Sequence, residues 1–234
     1  MLLASAALLA TGVHAGPPYL TDDPEPVETG HWEFEGAFQW SWQSHAASGT
    51  CPHVEANYGA AQGLQLHVIV PFVLSTSRGA GANYGLGDIE LGAKYRFIGE
   101  GPRHPQIGVF PLLSVPAGSE KRGLGSGEVE ALLPVWLQKS FGPWTTYGGA
   151  GIHLARGENA GIAGWLLQRQ ISDGLTFGAE GYLTFPFVDG DIQTQFNAGL
   201  VADFTDHHHL LFSAGPSFGS ADRGQAYLAY QLTL

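Results

Sequence analysis

The chain has 234 residues, of which 44% are hydrophobic and only 13% are charged, and it contains 34 glycines. The charged share is about half, and the glycine share about twice, that of an average soluble protein, which disfavours a helical fold. A net charge of −11 with scattered Lys and Arg residues argues against nucleic acid as a partner, and a single cysteine excludes an internal disulfide. No linker-like run divides the chain, so we expect one domain.

Two segments precede the strongly patterned part of the sequence. Residues 1–15, MLLASAALLATGVHA, form a short apolar run that ends in Val13-His14-Ala15, and they predict a signal peptide. Residues 16–29, GPPYLTDDPEPVET, combine four prolines with a cluster of acidic side chains. This composition predicts an extended, solvated lead-in rather than a calcium loop, whose glycine and ligand spacing are missing.

From residue 30 onward, apolar and polar residues alternate with the period of two that is typical of half-buried β-strands. In GDIELGAKYRF, residues 87–97, the odd positions are apolar and the even positions include Asp88, Glu90, Lys94 and Arg96. Similar runs bounded by Gly, Pro, Asp or Ser predict about twelve strands. The runs cover approximately 30–42, 54–58, 64–72, 87–97, 105–116, 127–140, 143–155, 161–171, 175–186, 194–205, 209–218 and 225–234.

The connections between these runs alternate in length. Those at 60–63, 141–143 and 172–174 are tight, whereas others, such as 43–53 and 116–126, are longer and rich in Gly, Ser and charge. An even strand number with short turns on one side is typical of outer-membrane barrels. We therefore predict an all-β fold, an antiparallel up-and-down transmembrane β-barrel of about 12 strands. Its predicted organisation is a signal peptide (1–15), an extended periplasmic arm (16–29) and one barrel domain (30–234).

Two observations favour a membrane barrel over a soluble β-sandwich. The outward faces of a sandwich would need more charge than 13% of residues can supply. Trp32 and Trp42 share a face, and at about 3.3 Å per residue and a tilt near 40° their spacing projects to roughly 25 Å, the height of the apolar band of such barrels. Further aromatic residues that we expect at the membrane interfaces are Tyr84, Tyr95, Trp144, Tyr147, Trp165, Tyr227 and Tyr230.

The same parity places the apolar residues of 87–97 towards lipid and assigns a set of polar side chains to the lumen. Carboxylates outnumber cations in this set, so an open lumen would favour cations or neutral polar solutes over anions. The alternative is that these groups pair with one another and fill a narrow barrel. The set comprises Glu33, Glu35, Glu55, His67, Asp88, Glu90, Lys94, Arg96, Glu128, Glu130, Glu180, Tyr182, Asn197 and Asp203.

Other candidate sites in the sequence are weaker. Consecutive histidines at 207–209 cannot all converge on one metal ion in a strand, because neighbouring side chains point to opposite faces. No phosphate-binding loop or nucleophile elbow is present, and we expect no cofactor. A lipid-acting enzyme would need a Ser–His pair on one face, for which Ser213 and His208 are the candidates. Arg169 could either line the lumen or extend to the membrane interface.

The end of the chain and its loops indicate partners besides membrane lipid. The amphipathic run QAYLAYQLTL, residues 225–234, is typical of the last strand that the barrel-assembly machinery recognises. Cationic residues in the longer loops could pair with the phosphates of lipopolysaccharide. They are Arg78, Lys121, Arg122, Arg156 and Arg223.

Several stretches carry a resemblance to a known family: PPYLTDDPEPVETGHWEFE, DIELGAKYRFI, VPAGSEKRGLGSG, LPVWLQKSFGPWTTYGGAG and HHHLLFSAG. From about residue 16 onward, the sequence resembles the bacterial outer-membrane β-barrels that are associated with transport in the meta-pathway of phenol degradation. The resemblance implies a barrel in the outer membrane of a Gram-negative bacterium that passes aromatic or other hydrophobic compounds. We therefore predict a porin-like passive channel, with a closed structural or surface-interaction barrel and a lipid-acting enzyme as alternatives.

Overall fold

A computed structural model describes residues 18–43, 46–77, 81–188, 190–219 and 222–234. The predicted signal peptide and Arg78 lie outside the described residues. Within the described ranges, no helix is long and apolar enough to cross a membrane. The helical content of these ranges is one 3₁₀ turn, Glu120–Arg122.

The chain forms a closed antiparallel barrel of twelve strands, which confirms the predicted fold class. Each strand pairs with its neighbours in sequence, and two strands, β4 and β5, are each interrupted once. The strands are β1 (Trp32–Gln43), β2 (Ala46–Ala61), β3 (Leu64–Ser77), β4 (Asn83–Leu86 and Ile89–Ile98), β5 (Gln106–Val109 and Leu112–Val115), β6 (Glu130–Phe141), β7 (Trp144–Leu154), β8 (Ala160–Ser172), β9 (Leu175–Pro186), β10 (Gln193–Asp203), β11 (His208–Phe218) and β12 (Asp222–Thr233).

The first and last strands close the barrel. β1 pairs with β12 in antiparallel register, with Glu33 opposite Thr233 and Phe38 opposite Leu228. The Trp32 N–H donates to the Leu234 carbonyl at 2.9 Å, and the Leu234 N–H donates back at 2.8 Å. Closure leaves no strand edge, so every strand can satisfy its backbone groups within the sheet, as a lipid environment requires.

The outer face of the barrel is apolar, as the sequence parity predicts. Leu91 is 45% exposed and Phe97 is 49% exposed, whereas Lys94 on the same strand is 5% exposed. Leu133 and Trp165 are also exposed, so no second sheet covers them. This arrangement excludes the β-sandwich, in which these side chains would form the core.

Two of the aromatic residues that we expected at the membrane interfaces point into the barrel instead. Tyr147 is 2% exposed, and the hydroxyl of Tyr227 donates to Glu35 in the lumen. Arg169 lies on the outer face, with its guanidinium 5.2 Å from the ring centroid of Trp144. Arg169 therefore does not line the lumen, which was one of the two positions that the sequence allowed for it.

The predicted loop over 43–53 is wrong, because β1 ends at Gln43 and β2 already begins at Ala46. The β1–β2 register shifts between Ala37 and Gln39. A bulge of this kind moves later residues to the opposite face. The alternation of polar and apolar residues is therefore lost in a segment that is still a strand.

Candidate functional site

The N-terminal segment of the described chain lies inside the barrel. We call residues 18–28 the plug segment. Within it, Thr21 is fully buried, and Asp23, Pro24 and Pro26 are also buried. Its contacts run from β11, where the Ser213 hydroxyl donates to the Pro18 carbonyl, to the region of β2 and β3. The expectation of a solvated segment is therefore wrong for these residues.

One carboxylate of the lumen binds the start of the plug segment. Glu180 on β9 accepts hydrogen bonds from the backbone N–H of Leu20 at 3.0 Å and of Thr21 at 2.8 Å. The Asn197 side-chain amide donates to the same carboxylate at 2.6 Å. Hydrogen bonds to an ionised acceptor are stronger than neutral ones. Glu180 therefore fixes the backbone of the plug segment at this side of the lumen.

The opposite side of the lumen binds the acidic side chains of the plug segment. The Lys94 ammonium lies 3.0 Å from an Asp22 carboxylate oxygen and 3.6 Å from one of Asp23. Arg96 pairs with Glu25 and donates to the Gln106 side chain. Three carboxylates of the acidic cluster that the sequence shows in this segment thus form ion pairs with the two lumenal cations of β4.

A cavity of about 960 Å³ remains beside the plug segment, along β1 to β4 and β12. It extends from the short-turn end, at His31 and His207, to Gln39 farther along β1. Glu33 and Gln39 are separated by roughly 20 Å of strand. The predicted lumen residues that line this cavity are Glu33, Glu35, Glu55, His67, Glu90 and Lys94.

We call Glu33, Glu35, Glu55 and Glu90 the acidic wall. The Asn57 amide donates to Glu33 at 3.0 Å and to Glu55 at 2.8 Å. Its carbonyl oxygen contacts the His67 ring at 2.7 Å.

The remaining contacts of the acidic wall come from β3 and β12. His67 lies between Glu55 and Glu90, at 3.4 and 3.1 Å. Glu35 accepts hydrogen bonds from the Tyr227 hydroxyl at 2.6 Å and the Gln231 amide at 2.7 Å. These bonds orient the carboxylates, but most of the donors are neutral.

The predicted lumen residues of β9 and β10 lie on the other side of the plug segment. Glu180 and Asn197 form the hydrogen-bonded group already described, and Tyr182 packs beside a buried cluster of Phe110, Trp136 and Ile162. Glu180, Asn197 and Tyr182 do not line the cavity. They hold the plug segment and pack the lumen around it.

Asp88 does not line the cavity either, because it holds the loop between β5 and β6. Its carboxylate accepts the N–H groups of Ala117, Gly118 and Ser126 at 3.0, 2.9 and 2.6 Å. The loop buries Leu124 against Gly85, where an added Cβ would lie 3.1 Å from the leucine side chain. The loop therefore folds onto β4 at the long-loop end of the barrel.

The other predicted lumen residues pair locally. The His153 ring lies 3.1 Å from Glu130, and the His209 ring lies 2.7 Å from Asp203. Glu128 is part of the loop after β5, where its carbonyl accepts the Ser126 hydroxyl. The cavity does not include these three acidic residues.

The residues that the sequence suggested for an enzyme site or a metal site do not come together in the structure. Ser213 is buried in the lumen, whereas His208 is exposed, so the candidate Ser–His pair lies on opposite faces. The histidines at 207–209 have separate partners, which are the Thr233 carbonyl, the Tyr230 hydroxyl and Asp203. Within the part of the chain that the structure describes, no group of three or more His, Cys, Asp or Glu side chains could hold a metal ion.

The sequence parity missed several cavity residues. His53, which lay in the predicted loop, is 5% exposed and lines the cavity. Tyr227 and Phe110 also line it. A signal for His53 was available, since it shares parity with Glu55 and Asn57 once β2 is extended towards residue 46.

The fold resembles those of known barrels. With an outer membrane channel from Pseudomonas putida F1, the TM-score is 0.71 at 18% identity, over 91% of this chain and 98% of that chain. With the KdgM porin, the TM-score is 0.59 at 9% identity, over 85% and 98%. With the translocator domain of the autotransporter NalP from Neisseria meningitidis, it is 0.56 at 13% identity, over 87% and 86%.

No protein-family model and no curated protein sequence matches the chain. The structural likenesses show the fold, which is that of an outer-membrane β-barrel. Because this fold occurs in a channel, a porin and a translocator domain, it does not by itself determine the function. The resemblance to the phenol-pathway barrels stays a prediction.

Proposed function

We propose that the protein is a passive channel for small organic compounds in the outer membrane of a Gram-negative bacterium. The cavity of about 960 Å³ inside a barrel with an apolar outer face is the observation that carries this proposal. Its volume lies at the upper end of the range of small-molecule sites. The likeness to an outer membrane channel and a porin supports the same class of function.

The chemistry of the cavity supports solutes that combine an apolar body with a polar group. Phe110, Leu112, Ile69 and Tyr227 line it together with the acidic wall. Aromatic compounds fit this combination, as the resemblance to the phenol-pathway family implies. The apolar side chains would hold a ring, and the carboxylates and histidines would hydrogen-bond a substituent.

Passage through the barrel would require the plug segment to shift. It crosses the lumen between β11 and β3 and is bound on both sides, by Glu180 and by Lys94. The same observation favours a second candidate function, a closed barrel with a structural or surface-interaction role. The two candidates differ in whether the plug segment leaves its position while the barrel stays folded.

The membrane context implies further partners. The outward residues of β12, among them Leu228 and Tyr230, are exposed and apolar. They would present this strand to the barrel-assembly machinery. Lys121 and Arg122 are exposed in the loop after β5, where lipopolysaccharide phosphates would be in reach.

A disulfide that fixes the plug segment tests the proposal. A Cβ placed on Gly164 would lie 3.2 Å from the Thr21 Cβ and 2.9 Å from the Tyr182 ring, so a small shift of this ring and of the plug segment brings the two Cβ atoms to the separation of a disulfide. We expect the Thr21→Cys/Gly164→Cys variant, with Cys51→Ser, to give little current in planar bilayers when oxidised. Reduction should restore discrete conductance steps, and Cys51→Ser alone should conduct with and without reductant.

The outcomes separate the two candidate functions. If the native protein and the reduced variant are both silent, the barrel is closed and the channel proposal fails. If oxidation leaves the current unchanged, solutes pass beside a fixed plug segment. Charge reversal by Glu90→Lys should lower the ratio of cation to anion permeability of a conducting barrel, because Glu90 lines the cavity.

A further inference from the structure

The acidic wall has little positive charge around it. Among the described residues, its ion pairs reach only His67, which contacts Glu55 and Glu90. The Lys94 ammonium lines the same cavity but pairs with Asp22 and Asp23 of the plug segment. When ionised, the four carboxylates of the wall would therefore carry more negative charge than their neighbours neutralise.

Two of these carboxylates face each other across the β1–β2 pair. Glu35 and Glu55 are direct partners in the strand register. Side chains at such positions have Cβ atoms about 4.5–5.5 Å apart, and like charges there destabilise the pair. A buried carboxylate without a cation takes up a proton, whereas a bound cation allows it to stay ionised. The space between Glu35 and Glu55 is therefore suited to a positive group.

A histidine beside this pair provides an independent observation. His53 is 5% exposed and lines the cavity, and its Nε2 atom is buried without a hydrogen-bond partner among the described residues. Its ring centroid lies 5.9 Å from that of Tyr227, whose hydroxyl donates to Glu35. A buried polar atom without a partner is costly, so a ligand in the cavity that bonds to it would gain affinity.

We propose that the acidic wall is a binding subsite for a small organic cation, a protonated amine attached to a compact apolar body. The ammonium group would lie between Glu35 and Glu55, and His53 would accept one of its hydrogens. Ile69, Phe110 and Leu112 line the same cavity and would contact the apolar part. This inference names a solute class for the proposed channel. It rests on the proposed function for the route by which the solute reaches the subsite, whereas binding at the subsite does not require conduction.

Calorimetric titration of the detergent-purified full chain tests this subsite. We expect 2-phenylethylamine to bind saturably, and 2-phenylethanol and phenylacetate to bind at least tenfold more weakly, because they share the ring but lack the positive charge. Binding of the amine should release protons, which makes the measured enthalpy depend on the buffer. Equal affinity for the amine and the alcohol would overturn the proposal.

An isosteric variant within the subsite, compared with a matched control outside the cavity, tests the location of the site. Glu55→Gln should weaken binding of 2-phenylethylamine at least tenfold, whereas Glu158→Gln, in an exposed loop outside the cavity, should leave it unchanged. Heat-modifiable migration on a gel shows whether each variant is folded, and Glu35→Gln gives the same test if Glu55→Gln does not fold. Unchanged affinity in a folded variant contradicts the proposal. A barrel that binds the amine but is silent in bilayers would refute the channel and leave the subsite intact.

Discussion

The two sides of the barrel lumen are built on different principles. On β6 to β9, which we call the packed wall, Trp136 and Ile162 are buried in contact with one another and with Phe110 of β5. On β1 to β4, the acidic wall borders an open cavity and carries four carboxylates. One side supplies close packing, and the other supplies space and charge.

This difference shows how a narrow barrel can be both stable and able to hold a solute. Hydrogen bonds fix the backbone of the plug segment on this side, with Glu180 of β9 in the packed wall and with Ser213 of the nearby strand β11. On the other side the plug segment is held mainly by ion pairs of Lys94 and Arg96. Substitutions that are similar in chemistry should therefore have different effects on the two walls.

The largest expected effect is the loss of a packed aromatic side chain. Trp136→Ala should lower the free energy of unfolding by about 3–5 kcal/mol, because Trp136 is 2% exposed and its removal leaves a cavity. Ile69→Ala on the opposite side should cost less than half as much, since Ile69 already borders open space. Chemical denaturation in detergent, followed by circular dichroism, measures both. Equal losses would mean that the two walls do not differ in packing.

A charge placed on the lipid face should have the next largest effect. Leu91→Arg should destabilise the protein in phospholipid vesicles by about 2–4 kcal/mol, the cost of an arginine near the membrane centre. Ile69→Arg should be close to neutral, because residue 69 is the register partner of both Glu55 and Glu90. If the lumenal arginine is the more costly one, the assignment of the two faces is wrong.

The smallest expected effects come from replacing a carboxylate by its amide, and they differ in sign between the walls. Glu180→Gln should lower the free energy of unfolding by about 1.5–3 kcal/mol, because bonds from the plug segment to a charged acceptor are lost. At a pH at which both carboxylates are ionised, Glu35→Gln should raise it by roughly 0.2–1 kcal/mol, because the like charge opposite Glu55 is removed. The new amide could also donate to the buried Gln231 Oε1, which has no partner among the described residues. Denaturant titration of the two variants decides the signs.

The barrel and its two faces could be predicted from the sequence because both follow from one local rule. In a membrane barrel the side-chain period is two, and lipid accepts one parity while the lumen accepts the other. The charges at Glu90 and Lys94 fix this register on β4. The rule fails on β2 between Ala46 and Thr50, because an extra residue between Thr50 and His53 shifts the register there. His53 itself keeps the parity of Glu55, but it lies one residue before the predicted start of the strand at Val54.

The plug segment could not be predicted from local pattern. Its prolines and carboxylates have the composition of a solvated arm, and nothing within residues 18–28 identifies their partners. Those partners, Lys94 and Glu180, lie on strands that only the closed barrel brings to the same space. The positions of the tyrosines were similarly ambiguous from the sequence, because residues such as Tyr147 and Tyr227 fit either a membrane interface or a filled lumen.

The position of the plug segment has a consequence for how the molecule is assembled. Its Leu20 N–H binds a glutamate 160 residues away in sequence, and its Asp22 binds a lysine 72 residues away. Contacts of such long range form late, since the intervening chain must first be ordered. The plug segment therefore cannot take up its described position until β4 and β9, which supply these two partners, are in place.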